Sequence, residues 1–413
     1  MRRVVITGIA PVTALGIGEE FFESIFENKR VIQPIPEVYQ KNYEFKSKHY
    51  VPAPEINLKE FGFSRTLDKM MSNASKIMVL AVYLALKDAK ISLMEKDKRY
   101  YSHLLEESAI IIGTGFTSIE VAFNSFKGHL GNIDNEKYNR LTIPMIMTNA
   151  PASWISIIFG VMGDNFTLNT ACASGTYAIG EAYKRIKSGE SNLVISGGVE
   201  CLVDETGATM RGFDILDTLN KDNDGYGKPF SRSRSGFLYN DGAGCALILE
   251  EYQHAKNRGA EIYCEILNYE KNSDSYSIVQ MNKDGNSIEE LIRKLIGEEK
   301  IDYINTHGTG TDLNDAVEAD VIRRIFGNKD TQPYINSSKG IIGHSLGASG
   351  ALEAAITAYS IKHGKIHGNF VEDIMDNLNA SYENLSTPIN RAISLSYGFG
   401  GHNGGLMFGG NKP

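Results

Sequence analysis

Apolar residues fall along this chain in short runs separated by helix-spaced stripes. Runs at 4–6, 109–112, 166–170, 193–196, 246–249, 301–305, 334–336 and 393–396 carry aliphatic, β-branched and aromatic residues and read as buried strands. Between them, segments 76–88, 178–187 and 315–326 repeat apolar positions at three- and four-residue spacing and predict helices, with Ala85, Leu86 and Ala89 extending the first stripe. Strands alternating with helices over nearly the whole length predict a layered α/β architecture with buried sheets.

No stretch is rich enough in Pro, Ser or Gly to form a long flexible linker, so any domains pack tightly together. Segments 37–58, 220–236 and 272–287 are polar, hold turn residues, and are expected to be the least ordered. Asp and Gly residues between Asn220 and Gly227 loosely resemble an acidic calcium loop, but the closing Glu spacing is missing and a surface loop is the simpler reading. One weak echo suggests duplication. Ala171-Cys172-Ala173-Ser174-Gly175 follows a strand and opens a helix, and Gly343-His344-Ser345-Leu346-Gly347 does the same. Two similar halves would bring those helix starts near each other.

The membrane signals are weak. Arg2 and Arg3 precede an apolar stretch to Leu15, but Thr7, Gly8 and Pro11 interrupt it and no small-residue cleavage site follows, so a buried strand and turn is expected. No run approaches the ~20 apolar residues of a membrane span. With 413 residues and 42% hydrophobic content the chain can bury a large core. Forty-two basic against fifty acidic residues, a net charge of −8, argue against general nucleic-acid binding. Four scattered cysteines, none in a CxxC, suggest neither a disulfide scaffold nor a zinc site and fit a reducing cytoplasm.

Chemistry concentrates at three places. Cys172 lies where a strand turns into a helix, a position whose free N–H groups and positive dipole end favour a thiolate. A small buried hydrophobe is the alternative reading, and the one kept for Cys201, Cys245 and Cys264. His307, in Asn305-Thr306-His307-Gly308-Thr309-Gly310-Thr311, follows a strand in a Gly- and Thr-rich turn. His344 stands five residues after Lys339. Together with Cys172 these form a Cys-His-His constellation, with Lys339 and Glu318 as nearby charges to set orientation and protonation. His363 and His367 read as surface residues. The third place, Tyr397-Gly398-Phe399-Gly400-Gly401-His402-Asn403-Gly404-Gly405, is a glycine-dense turn between strands, suited to aiming backbone N–H groups at an oxyanion and unlike a dinucleotide-binding loop.

TACASG, NTHGTGT, the Lys339/His344 pair and GFGGHN, in this order, resemble the β-ketoacyl-acyl carrier protein synthases, of the synthase II type and its type II polyketide relatives. The resemblance runs from Arg3-Val4-Val5-Ile6-Thr7-Gly8 to the 398–403 turn. It implies a thiolase-like α/β fold of two pseudo-duplicated halves, 1–251 and 252–413, in five αβαβα layers. It implies a decarboxylating Claisen condensation: Cys172 takes an acyl group as a thioester, and a carrier-bound malonyl group loses CO₂ and attacks it. Cys172 and Phe399 would supply the oxyanion-hole N–H groups. His307 and His344 would assist decarboxylation and bond the enolate, Lys339 would orient the site, and Glu318 matches the family's buried acid. Thr309 and Thr311 match residues that hold phosphopantetheine, delivered by the carrier; no tightly bound cofactor or metal is implied.

By the same resemblance Phe116 is a chain-length gate, Phe213 an aromatic pocket wall and Phe399 the acyl gate, which predicts short, planar or otherwise unusual acyl chains. Arg65 and Lys69 match the basic patch that meets an acidic acyl carrier protein. Asp217 stands where many relatives carry Arg, hinting at a dedicated carrier, with Lys221, Lys228, Arg232 and Arg234 as compensating cations or a solvated face. Family members pair, so a homodimer or a heterodimer with a chain-length-factor-like subunit is expected, with 141–149 reaching the partner. Two other readings stay open. A silent chain-length partner should lack Cys172, and a thiol hydrolase leaves the second His, Lys339 and the glycine turn without roles. Neither nucleic acid nor membrane is an expected partner.

Overall fold

A computed structural model describes residues 2–97, 99–131 and 139–410. Its centre is an eleven-stranded sheet. Ten of its strands are β1 (Val4–Thr13), β2 (Ala109–Gly113), β3 (Asn165–Leu168), β4 (Leu193–Cys201), β5 (Gly242–Glu251), β6 (Cys264–Ser273), β7 (Tyr303–Asn305), β8 (Tyr334–Asn336), β9 (Arg391–Gly398) and β10 (His402–Gly409). All eight apolar runs overlap these strands, though 169–170 and 301–302 fall outside them, and Gly16–Ile17 adds a short spur on β1. The order β3-β2-β4-β5-β1 continues through β6 into β10-β9-β7-β8. Each set of five has the same connectivity: two parallel pairings at the outer edge, then two antiparallel ones toward the middle. Among the described residues the two sets of strands pair only along Val4–Ile6 and Cys264–Ile266 of β1 and β6.

Five helices complete the layers: α1 (Asn73–Asp88), α2 (Ser174–Ser188), α3 (Asn286–Ile296), α4 (Asp312–Phe326) and α5 (Ser349–His363). α1, capped by the Ser72 side chain on Ser75 N–H, covers one outer face. α3 and α4 cover the other, and α2 and α5 fill the middle between the two sets of strands. Three apolar cores therefore fill the four interfaces of five layers, the central one packing both faces of the α2–α5 layer. Strands buried on both faces need apolar residues at odd and even positions alike. In β5, Ala243, Cys245, Leu247 and Leu249 face the central core and Ala246 and Ile248 the outer one. In β1 a bulge between Ile6 and Gly8 reverses the alternation, so Val4, Ile6 and Ile9 point centrally while Ala10 and Val12 point outward.

The helix starts of α2 and α5 do meet, but in a different register from the sequence echo. α5 begins at Ser349, so Ala173-Ser174-Gly175 corresponds to Ala348-Ser349-Gly350. The Ser174 hydroxyl accepts Thr170 N–H at 2.9 Å and the Ser349 hydroxyl accepts Ser345 N–H at 3.1 Å. Cys172 thus corresponds to Gly347 rather than to His344. The glycines allow the approach: a Cβ on Gly175 would lie 2.6 Å from Ala351 N, and one on Gly350 2.3 Å from Thr176 Oγ1.

Two other expectations change. Segment 220–236 is well tied rather than loose, because fully buried Phe230 anchors it and donates its N–H to Asp315 at 2.7 Å. His367 is buried, with Nε2 3.0 Å from Ser338 Oγ beneath the Lys339 turn. Among the described residues no helix is long and apolar enough to cross a membrane.

Candidate active site

β3 ends one turn before Cys172, and Ala171 takes a left-handed φ of 51° to make the elbow. A side chain in that region is strained, and here the strain presents the sulfur at the start of α2. The sulfur faces the N–H of Phe399 as well as its own. The thiol is not a ready thiolate. Burial pushes it up to about 12, Lys339 opposes this, and the Glu200 charge adds to it. Enclosure thus outweighs the helix start that the sequence emphasised. Alkylation of Cys172 by iodoacetamide should consequently keep rising about tenfold per pH unit through pH ~9; a plateau near neutrality in the pH–rate profile would show a preformed thiolate instead.

His307 follows β7 directly. Its backbone is fixed by Glu318 on α4, whose carboxylate accepts the N–H groups of His307 at 2.9 Å and Gly308 at 2.8 Å. Lys339 Nζ donates to the His307 carbonyl at 2.7 Å and lies 3.4 Å from Nδ1, while forming a buried ion pair with Glu353 of α5. An ammonium beside Nδ1 leaves the imidazole proton on Nε2. His344 Nδ1 lies 3.0 Å from Ser349 Oγ, which also accepts the Ser345 N–H, so its ring is held from the same side. The two rings stand 5.5 Å apart and nearly perpendicular, with Tyr397 5.4 Å from His307 and Phe237 5.1 Å from His344. Burial, with Lys339 nearby, holds both imidazoles well below their ordinary pKa, so both stay neutral at physiological pH.

Cys172, His307, His344 and Phe399 line one cavity of about 310 Å³, which Phe213, Thr309 and Thr311 also line and which opens past Asp217 and Lys221. The Thr309 and Thr311 hydroxyls lie 2.9 Å apart. Phe213 packs against Phe237 and Tyr239 at 5.8 and 5.9 Å. Lys339 and Glu318 are buried behind the imidazole and touch its backbone and ring rather than the cavity. Phe116 is not brought in: its side chain is 47% exposed and lies outside the cavity lining. The Gly115 and Phe116 N–H groups bind Glu200, which fixes the backbone of this turn. The obstructing ring that predicted short or planar chains is therefore absent from the cavity.

Arg65 and Lys69 are exposed on Arg65–Met70, a short helix capped by Ser64. Asp217 is paired with Lys46 at 2.8 Å and Lys221 at 2.9 Å, which hold its carboxyl down at about 2. Lys228 is occupied by Asp222 and Asp224, Arg232 by Asp376, and Arg234 by the carbonyls of Thr311 and Asp312. Sequence reasoning missed Glu353, Glu200 and Ser349. For Glu353 a signal existed: it is the one carboxylate in the small-residue run of α5, and a buried anion needs a cation.

A five-layer α/β fold with a cysteine and two neutral imidazoles in one cavity defines the thiolase-like class of condensing proteins. The chain belongs to the β-ketoacyl synthase family: residues 1–255 match its N-terminal domain and 263–371 its C-terminal domain. It is 34% identical to a putative mitochondrial 3-oxoacyl-[acyl-carrier-protein] synthase of Schizosaccharomyces pombe, covering 99% of both chains. It is 30% identical to 3-oxoacyl-[acyl-carrier-protein] synthase 2 of Synechocystis, covering 98% of both. Among solved structures it resembles the ishigamide ketosynthase/chain length factor, with a TM-score of 0.87 and 25% identity over all of both chains. A Burkholderia phymatum β-ketoacyl synthase gives 0.87 and 28% over the same coverage.

Proposed function

We propose that this protein is a β-ketoacyl-acyl carrier protein synthase whose halves, 1–251 and 252–413, supply the nucleophile and the two imidazoles respectively. The observation that carries this is the convergence of Cys172, His307, His344 and Phe399 on one cavity. Cys172 attacks an acyl thioester on the phosphopantetheine arm of an acyl carrier protein. The thiol proton leaves with the departing carrier thiol, and the Cys172 and Phe399 N–H groups hold the oxyanion. Malonyl-carrier then enters past Thr309 and Thr311. Its C–C bond to the carboxylate breaks, releasing CO₂, and the electron pair remains as an enolate whose oxygen accepts Nε2–H bonds from His307 and His344. The enolate carbon attacks the Cys172 thioester, giving a β-ketoacyl carrier two carbons longer and expelling the sulfur as a thiolate, which takes a proton from water to restore the thiol. Neutral donors suit this step because they stabilise charge that appears only as CO₂ departs.

Intact-mass analysis tests the reading. Acyl-carrier should leave one acyl group on Cys172, and malonyl-carrier should discharge it as the extended β-ketoacyl product. Release of free acid alone would favour the hydrolase. Cys172 itself weighs against a silent chain-length partner.

An acidic carrier would dock through Arg65 and Lys69, and Asp217, already neutralised by two lysines, presents no net repulsion at the mouth. A partner subunit would add to β3, which among the described residues pairs on one side only, carries Phe166 and follows the 77% exposed Met162. A Met162→Glu, Phe166→Asp double variant should sediment as a monomer where the parent sediments as a dimer. Four buried, unpaired thiols suit a cytoplasmic location.

A further inference from the structure

Glu200 takes no part in this chemistry, yet it is fully buried near the end of β4 and, among the described residues, has no cationic partner. Its carboxylate is instead held by three backbone N–H groups: Gly115 at 3.0 Å, Phe116 at 2.7 Å and Gly347 at 3.0 Å. The first two belong to the turn after β2 and the third to the turn before α5, so one side chain joins the two halves. The turns touch: a Cβ on Gly347 would lie 2.4 Å from Gly115 N, and a Cβ on Gly115 2.7 Å from the carboxylate itself.

Each joined segment carries one wall of the apolar cluster that surrounds Cys172. Leu346 precedes Gly347, Ile119 follows the Gly115–Phe116 turn, and Leu202 lies two residues beyond Glu200, just past the end of β4. Of these three, Leu346 also lines the cavity beside Cys172, and Ile119 and Leu202 pack in the same cluster. Glu318 provides the parallel: in the other half it holds the equivalent turn after β7 by two N–H groups, and that turn carries His307. One carboxylate thus fixes the chemical side of the site and the other fixes its apolar side.

We propose that Glu200 is a positioning residue that sets the acyl-length range of the enzyme by locking Ile119, Leu346 and Leu202 around Cys172. This rests on the condensing-enzyme reading. Glu200→Gln keeps the size of the side chain but replaces an accepting oxygen with an N–H₂ group that faces N–H donors, so one turn must be released.

The test is acylation of Cys172 by straight-chain acyl-carrier thioesters of increasing length, followed by intact mass as kcat/KM for each donor. The ratio of long-chain to short-chain kcat/KM should change about tenfold or more in Glu200→Gln, the scale on which pockets discriminate methylenes. An unchanged ratio, with or without a uniform fall in rate, overturns the proposal and leaves Glu200 a structural residue. Should Glu200→Gln fail to fold, Gly115→Ala pushes on the same carboxylate and is read by the same ratio. A parent protein that takes no acyl group from any donor would overturn the condensing reading as well, whereas an unchanged ratio overturns only the role of Glu200.

Discussion

Cys172→Ala is expected to abolish condensation, with a rate loss of roughly 10⁴-fold or more, the scale on which removing a nucleophile acts. The same variant should still release CO₂ from malonyl-carrier. Decarboxylation depends on the two imidazoles, whose Nδ1 atoms are held by Lys339 and Ser349, not by sulfur. The measurement is paired: product mass for condensation and evolved CO₂ for decarboxylation. Loss of both activities would mean that the sulfur helps to organise the imidazoles. Loss of neither would remove Cys172 from the mechanism. A parallel His344→Ala variant should show the reverse pattern, taking up the acyl group while losing decarboxylation.

Lys339→Met should be the most destabilising single change in the site. It leaves the Glu353 carboxylate buried without its cation, a change that costs about 3–5 kcal/mol in comparable settings. Burial already pushes the Glu353 carboxyl upward, and the Lys339 charge is what opposes that. The denaturant midpoint should fall accordingly. Lys339→Met combined with Glu353→Leu should recover most of that stability, since an apolar pair of similar volume replaces a desolvated ion pair. Condensation should not recover with it, because His307 would still lack the ammonium beside Nδ1. Recovery of both would reduce Lys339 to a structural role.

The sequence exposes the parts of this site that are local. The Cys172 and His307 turns each combine small residues with one reactive side chain, the 398–403 turn combines them with the Phe399 N–H, and each lies at the strand end where the periodicity puts it. What could not be read depends on contacts across the fold. Cys172 looked activated because its own helix start was visible, whereas the enclosure that raises its pKa comes from distant segments. Phe116 looked like a gate because its position in the turn was visible, whereas its backbone is tied to Glu200, 84 residues on, and its ring is left exposed. The duplication was legible as two small-residue motifs, but their register depended on where α5 begins, and helix boundaries are poorly marked when Gly, Ala and Ser run together.

The glycine contact between α2 and α5 has a consequence for how such a molecule can change over generations. The sulfur comes from one copy and the imidazoles from the other, so the reaction centre is a subunit boundary folded inside a single polypeptide. Any drift that swells either side of Gly175 and Gly350 spreads the two contributions apart, and no repair confined to one copy restores them. New specificities should accordingly arise from the loops at the cavity rim, while that small-residue crossing stays fixed.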